Sequence, residues 1–306
     1  MGKLMIGNNI VSPVIFNEIG SKYNVTIDNI FGDIDNSGNL KKSSVTSDYI
    51  FNGVVRLSTP YVLCYKFYRS NNVRSISFPD LITINSGNCC VYMSEYCSSL
   101  NSISFPKLET ISGDSPCGHM FSSCGALTSA SFPELLSING NSCCSGMFTD
   151  CRALTTISFP KLTSIISSNA CRALVSGCYG LTTVSFPELT TISGNSACAY
   201  MFNDCKALTT VSFPKLSTID IDNACMSMFS ACKALTDVYF NSLTTTSFGS
   251  YTSQFSSMMT GTGNTTIHTI HFPSNLQSTI SGLSGYPLFG GTSGYVTLSF
   301  DLPATS

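Results

Sequence analysis

The tripeptide Ser-Phe-Pro begins at Ser77, Ser104, Ser131, Ser158, Ser185 and Ser212, each 27 residues after the last, and Tyr239-Phe240-Asn241 continues the series. A strict period of this length predicts a solenoid, in which each unit buries its apolar side only by stacking on its neighbours. Aligned on that period, Val73, Leu100, Leu127, Leu154, Leu181, Leu208 and Leu235 form one apolar column. Three residues on stand Ile76, Ile103, Ala130, Ile157, Val184, Val211 and Val238, then the phenylalanine, then leucines from Leu81 to Leu243 and isoleucines from Ile84 to Ile219.

The spacing of two between the isoleucine and phenylalanine columns suits a short strand, and strands of successive coils would stack into a parallel sheet at about 4.8 Å per step. Later in each unit the period changes. Cys198, Met201, Phe202 and Cys205 stand at i, i+3, i+4 and i+7, which predicts a short helix. Asn88, Ser115, Ser142, Asn169, Ser196 and Asn223 line up as its N-cap, with Pro116 at a first helical position. The expected fold class is therefore α/β, a solenoid with a parallel β-sheet on one face and short helices on the other.

The pattern L-x-x-I-x-F-P, then L-x-x-I, then M-F-x-x-C-x-x-L resembles the BspA-like leucine-rich repeats of bacterial and protist surface proteins, over about residues 46 to 302. The resemblance implies a leucine-rich-repeat solenoid whose strand face and loops recognise proteins, including host extracellular components, without catalysis and without a cofactor. It also implies a cell-surface or extracellular location. The chain departs from the family in a longer loop-helix portion, an added cysteine column and the lack of a visible secretion or wall-anchor signal.

Three regions follow. Residues 1–45 lie outside the repeat, and Leu4 to Val11 read as a small hairpin within a possible attachment segment. Residues 46–260 form the solenoid, opening on a degenerate cap coil marked by Phe51, Val54, Leu57, Leu63 and Phe67. Residues 261–306 hold irregular final coils, where Val296, Leu298 and Phe300 alternate as a closing strand.

The chain has fifteen cysteines, an odd number that excludes complete internal pairing. Twelve fall in two columns seven residues apart: Cys90, Cys117, Cys144, Cys171, Cys198 and Cys225, then Cys97, Cys124, Cys151, Cys178, Cys205 and Cys232. On helices packed about 8–10 Å apart, neighbouring thiols would exceed the roughly 7 Å Cα separation a disulfide allows. The expectation is buried free thiols filling apolar space, with some inter-coil disulfides as the alternative. No C-x-x-C occurs and the histidines lie off the columns, which speaks against a metal site.

Only 10% of residues are charged and the net charge is −2, so there is no basic footprint for nucleic acid. Asn8, Asn9, Pro13 and Glu18 interrupt any signal-like apolar run, and no stretch suits a membrane span. The missing polarity is hydroxyl. The outward strand positions carry Thr155, Thr156 and Ser158, then Thr182, Thr183 and Ser185, then Thr209, Thr210 and Ser212. Such a lattice can hydrogen-bond a protein or glycan, or simply suit an exposed strand.

The lattice breaks at Asp237, Tyr239, His268 and His271, side chains able to anchor a partner, with Arg74 and Asn101 as a weaker counterpart at the other end. Asp80, Lys107, Glu134, Lys161, Glu188 and Lys215 alternate in sign along the stack and read as a register device. Asp33 to Gly38 opens like a calcium loop but has Ser44 where an acid is needed, and Asn24 and Asn264 match the glycosylation pattern. With three histidines and no nucleophile-base-acid set, no catalytic site is expected. The leading expectation is a recognition or adhesion module that uses Thr156, Ser158, Thr183, Ser185, Thr210, Ser212 and the Asp237–His271 patch. The alternative is a virion component docked through residues 1–45.

Overall fold

A computed structural model describes residues 4–6, 9–11, 48–51, 53–221, 223–244, 254–255, 257–261, 267–282 and 296–305. The calcium-like loop and both glycosylation matches lie outside these residues. Strands β1 (Leu4–Ile6) and β2 (Asn9–Val11) pair antiparallel, the hairpin expected from the sequence. Each following coil then carries two strands. They are β3 (Asp48–Ile50) with β4 (Arg56–Leu57), β5 (Ser75–Ser77) with β6 (Thr83–Ile84), β7 (Ser102–Ser104) with β8 (Thr110–Ser112), and β9 (Ser129–Ser131) with β10 (Ser137–Asn139). The series goes on through β11 (Thr156–Ser158) with β12 (Ser164–Ile166), β13 (Thr183–Ser185) with β14 (Thr191–Ser193), and β15 (Thr210–Phe213) with β16 (Thr218–Ile219). It ends in β17 (Asp237–Phe240), β18 (His268–Pro273), a 3-10 turn (Ser274–Leu276) leading into α1 (Gln277–Gly282), the one α-helix among the described residues, and β19 (Val296–Leu302).

The solenoid is parallel and its register is the sequence period: Ile157 pairs with Ala130 and Val184, and Ile138 with Ile111 and Ile165. The proline between the two strands of a coil turns the chain from one sheet into the other. Inside, the phenylalanines that precede those prolines stack along the axis. Ring centroids are 5.3 Å apart for Phe132 and Phe159, 5.2 Å for Phe159 and Phe186, and 5.4 Å for Phe213 and Phe240. At the N-terminal end, β1 pairs antiparallel with β3, so the hairpin covers what would otherwise be an open sheet edge.

The third segment of each coil corrects the expectation of helices. In residues 90 to 97 the amides alternate. Cys90, Tyr92, Ser94 and Tyr96 donate to the next coil, at Pro116, Gly118, Met120 and Ser122, while Val91, Met93, Glu95 and Cys97 donate three residues back within their own coil. Every fourth residue has positive φ: Asn88 (53°), Tyr92 (54°) and Tyr96 (62°), then Ser115, His119 and Ser123. These are consecutive tight turns laced to the next coil, without the i→i−4 bonds of an α-helix. A helix satisfies its own amides and keeps neighbours about 8–10 Å away, which the hydrogen-bonded spacing of the sheets forbids on the remaining side. The column read as N-caps is a column of left-handed residues.

The cysteine argument changes with it. All fifteen are free, and all but Cys64 are buried. The coils are too close for distance alone to exclude bridging, since the thiols of Cys90 and Cys117, and of Cys144 and Cys171, are near enough to perturb one another. In the other column each thiol donates to the coil before it: Cys124 to the Ser94 carbonyl at 3.1 Å, Cys151 to Phe121 at 3.1 Å, Cys178 to Phe148 at 3.1 Å and Cys232 to Phe202 at 2.9 Å. The Phe121 and Phe148 carbonyls also accept the amides of Cys124 and Cys151, so the thiol serves the second lone pair. Burial pushes the thiols of Cys97, Cys151, Cys225 and Cys232 up to about 12, which keeps them protonated and slow to oxidise.

The alternating charges form one-sided pairs, Lys107 to Asp80 at 2.8 Å, Lys161 to Glu134 at 2.6 Å and Lys215 to Glu188 at 2.6 Å. All are largely exposed, so each stabilises by at most about 1 kcal/mol.

Candidate functional site

The strands β9, β11 and β13 set Thr156 beside Ser129 and Thr183, and Ser158 beside Ser131 and Ser185. Thr156, Thr183 and Thr210 are exposed, and Ser158 and Ser185 half-buried. None of these five hydroxyls has a hydrogen-bond partner among the described residues, while Ser212 approaches Asn241 at 3.4 Å. The first outward position of each strand unit behaves differently. Thr155, Thr182 and Thr236 turn their hydroxyls onto the carbonyls of Thr128, Thr155 and Thr209 in the preceding coil, at 3.0, 3.2 and 3.1 Å, and so lengthen the inter-coil ladder.

The hydrogen-bonded sheet breaks between β13 and β15, and β15 begins a second sheet, β15-β17-β18-β19, that holds the irregular end. Thr210 is in register with Asp237, Ser212 with Tyr239, and Tyr239 with His271. His271 Nε2 lies 3.0 Å from Asp237 Oδ1, and its Nδ1 lies 2.9 and 3.0 Å from the two oxygens of Asp301. With a carboxylate on each nitrogen, both must carry hydrogen, so the ring is an imidazolium. Burial alone would lower the His271 pKa, but the hydrogen bonds and charges of Asp237 and Asp301 outweigh it and hold the value above the ordinary histidine range. The His271 bond holds Asp301 below the usual carboxylate range; Asp237 is lowered too, its bonds to His271 and Thr236 overcoming burial. The Tyr239 ring stacks on the imidazolium, centroids 4.2 Å apart and planes 10° from parallel.

His268 does not join this cluster. Expected on the outward face, it is fully buried, with Nδ1 against the Leu235 carbonyl and Nε2 without a partner among the described residues. It occupies the position whose threonines turn back on the preceding coil, and β19, with Val296 opposite His268, covers it. Asp301 is the member that motif reading missed. The period-two alternation of Val296, Leu298 and Phe300 places 301 on the outward side, which was the available signal. Among the described residues no cluster of His, Cys, Asp and Glu could hold a metal ion, and no helix is long and apolar enough to cross a membrane.

Residues 58–197 and 145–281 match the family described as BspA type leucine rich repeat region, in 6 copies. The chain belongs to the BspA-type leucine-rich-repeat family. Comparison with curated proteins returned no match. Among solved structures, the Treponema pallidum leucine-rich repeat protein is similar at 18% identity over 53% of this chain and 86% of that one, with a TM-score of 0.29. A leucine-rich repeat protein from Bacteroides ovatus follows at 16% identity over 83% and 85%, TM-score 0.26. The pneumococcal vaccine antigen PcpA is similar at 13% identity over 80% and 71%, TM-score 0.29. In this BspA-type chain, the repeat thus sets the two hydroxyl columns, and the irregular end supplies the charged cluster.

Proposed function

We propose that this BspA-type chain is a non-catalytic recognition module, at a cell surface or in the extracellular medium, that binds a protein or glycan through its strand face. One observation carries the reading: two columns of outward hydroxyls, most without a hydrogen-bond partner among the described residues, lead along the stack to β15, whose Thr210 and Ser212 are in register with Asp237 and Tyr239 of the charged cluster. Free hydroxyls on a rigid sheet offer donors and acceptors already ordered, so binding costs little further side-chain entropy. Tyr239, fixed on His271, supplies anchor area of the kind in which interfaces concentrate energy. Membership of the BspA-type family, generally surface and binding modules, supports placement outside the cell.

The test is binding of the full chain to immobilised panels of glycans and extracellular-matrix proteins. Changing Thr156, Thr183 and Thr210 together to Lys should weaken any captured interaction at least tenfold, and Tyr239→Ala should do so separately. Unaltered binding in both variants would refute the strand-face assignment.

A further inference from the structure

The turn side of the first coils carries a cluster of rings that the strand-face reading leaves unused. Tyr65, Tyr92 and His119 stack face to face, with centroids 5.0 and 5.3 Å apart and planes at 20° and 11°. Tyr68 joins them edge-on, 5.5 Å from Tyr65 and 6.0 Å from Tyr96. The Arg69 guanidinium lies over both Tyr68 and Tyr96, at 5.1 and 5.3 Å. Tyr61, Tyr65 and Tyr96 are 63%, 47% and 44% exposed. In later coils the stacked column holds Gly146, Ala173 and Ser227, with Tyr200 the exception, and the Arg69 column holds Asp150 and Asp204.

Arg69 also differs from other cations on this side in what it lacks. Arg152 and Lys206 both sit over Tyr179, and each has a carboxylate, Asp150 at 3.7 Å and Asp204 at 3.6 Å. Arg69 has no ion pair within 4.0 Å among the described residues; the Glu95 carboxylate lies near enough to feel its charge but does not pair with it. Arg172 is unpaired too, but it stands over the single ring of Tyr200 at 4.7 Å. A guanidinium held over two rings, with no hydrogen bond or close ion pair from its fork among the described residues, is already placed to receive a carboxylate.

The rings also say which class of partner fits. Stacking takes up faces of Tyr65 and Tyr92 on which a sugar would lie, and the Arg69 guanidinium lies over a face of Tyr96. Protein interfaces draw their energy from Tyr and Arg, and tyrosines immobilised by one another lose little freedom on binding. We propose that this patch docks an acidic segment of a partner protein, with a carboxylate on Arg69 and side chains packed on Tyr65 and Tyr96. This surface is separate from the strand face, and neither assignment depends on the other.

The probe is a labelled peptide of alternating Glu and Tyr, titrated against the full chain, with hyaluronan as a carboxylate-bearing glycan for comparison. The expected result is that the peptide binds more tightly than hyaluronan, that Arg69→Ala and Tyr96→Ala each weaken it at least tenfold, and that Arg172→Ala changes it less than twofold. Arg69→Lys, which keeps the charge but not the planar fork, should fall between wild type and Arg69→Ala with an unchanged thermal midpoint. Absent peptide binding, an equal loss in Arg172→Ala, or tighter binding of hyaluronan would each overturn the proposal.

Discussion

At the scale of single residues, the turn segments ask for left-handed backbone at every fourth position, and the residues there meet that demand unequally. Asn88, Asn169 and Asn223 are of a type that enters this region more readily than most L-residues, and Gly146 and Gly177 have no Cβ to clash. Ala173 has neither advantage at φ 53°. Ala173→Gly should raise stability by up to about 1 kcal/mol in denaturant titration, since the left-handed conformation costs an L-residue roughly 1–2 kcal/mol. One coil earlier in the same column, Gly146→Ala should lower stability by at least about 1 kcal/mol. Its φ is 60°, and a methyl group there would overlap the His119 ring. Ser94 is a different kind of misfit. It stands, fully buried, in the column of Phe67, Phe121, Phe148 and Phe202, and its hydroxyl has no partner among the described residues. An unpaired buried hydroxyl costs about 1–3 kcal/mol, so Ser94→Ala should stabilise by about 1 kcal/mol, measured the same way.

At the scale of elements, the C-terminal cap is stapled by ionised groups and so should respond to pH. His271 on β18 is clasped by Asp237 on β17 and Asp301 on β19, with Tyr239 stacked on it and His268 buried on its own strand. The His271 pKa is raised on folding, so its contribution is complete below the unfolded value of about 6.5 and is lost as pH rises through the folded value. The two aspartates are lowered, so theirs is present above about 3.9 and lost as pH falls through their folded values. Hydrogen exchange of β19 amides, corrected for intrinsic rate, should therefore be slowest between about pH 4 and 6.5. In His271→Gln the loosening at higher pH should disappear. An unchanged profile in that variant would show that the staple does not hold β19. The three-strand cluster was partly legible in the sequence: strand alternation placed Asp237, Tyr239 and His271 outward. His268 was misplaced because the first outward position turns back onto the preceding coil, a fact of hydrogen bonding that alternation does not encode.

At the scale of the whole molecule, each coil touches only its neighbours, so coils should be removable in whole units. Deleting residues 158–184 joins Ile157 to Ser185 with every apolar column still in register, but brings Glu134 beside Glu188. Deleting residues 158–211 removes two coils and brings Glu134 beside Lys215. Both variants should keep the strand signature in circular dichroism. Added salt should raise the melting midpoint of the first, by screening the like charges, and leave or slightly lower that of the second. A deletion of half a coil should not fold, because a break in the period misaligns every column beyond it.

Period and columns alone determined that this chain is a parallel solenoid, which repeat columns face its core, and where the first strand and the proline of each coil fall; the second strand of each coil was not read from the sequence. Those properties follow from spacing, since a residue's place in a strict repeat is its place in the stack. Tertiary structure decided the rest. The spacing of Cys198, Met201, Phe202 and Cys205 is shared by a helix and by the laced turns actually formed, and only the hydrogen bonds demanded by the next coil choose between them. Likewise the odd number of cysteines showed incomplete pairing, but the carbonyls they satisfy belong to other coils. Asp301 reaches His271 only because β19 lies beside β18, and that adjacency depends on how the final coils close over the core.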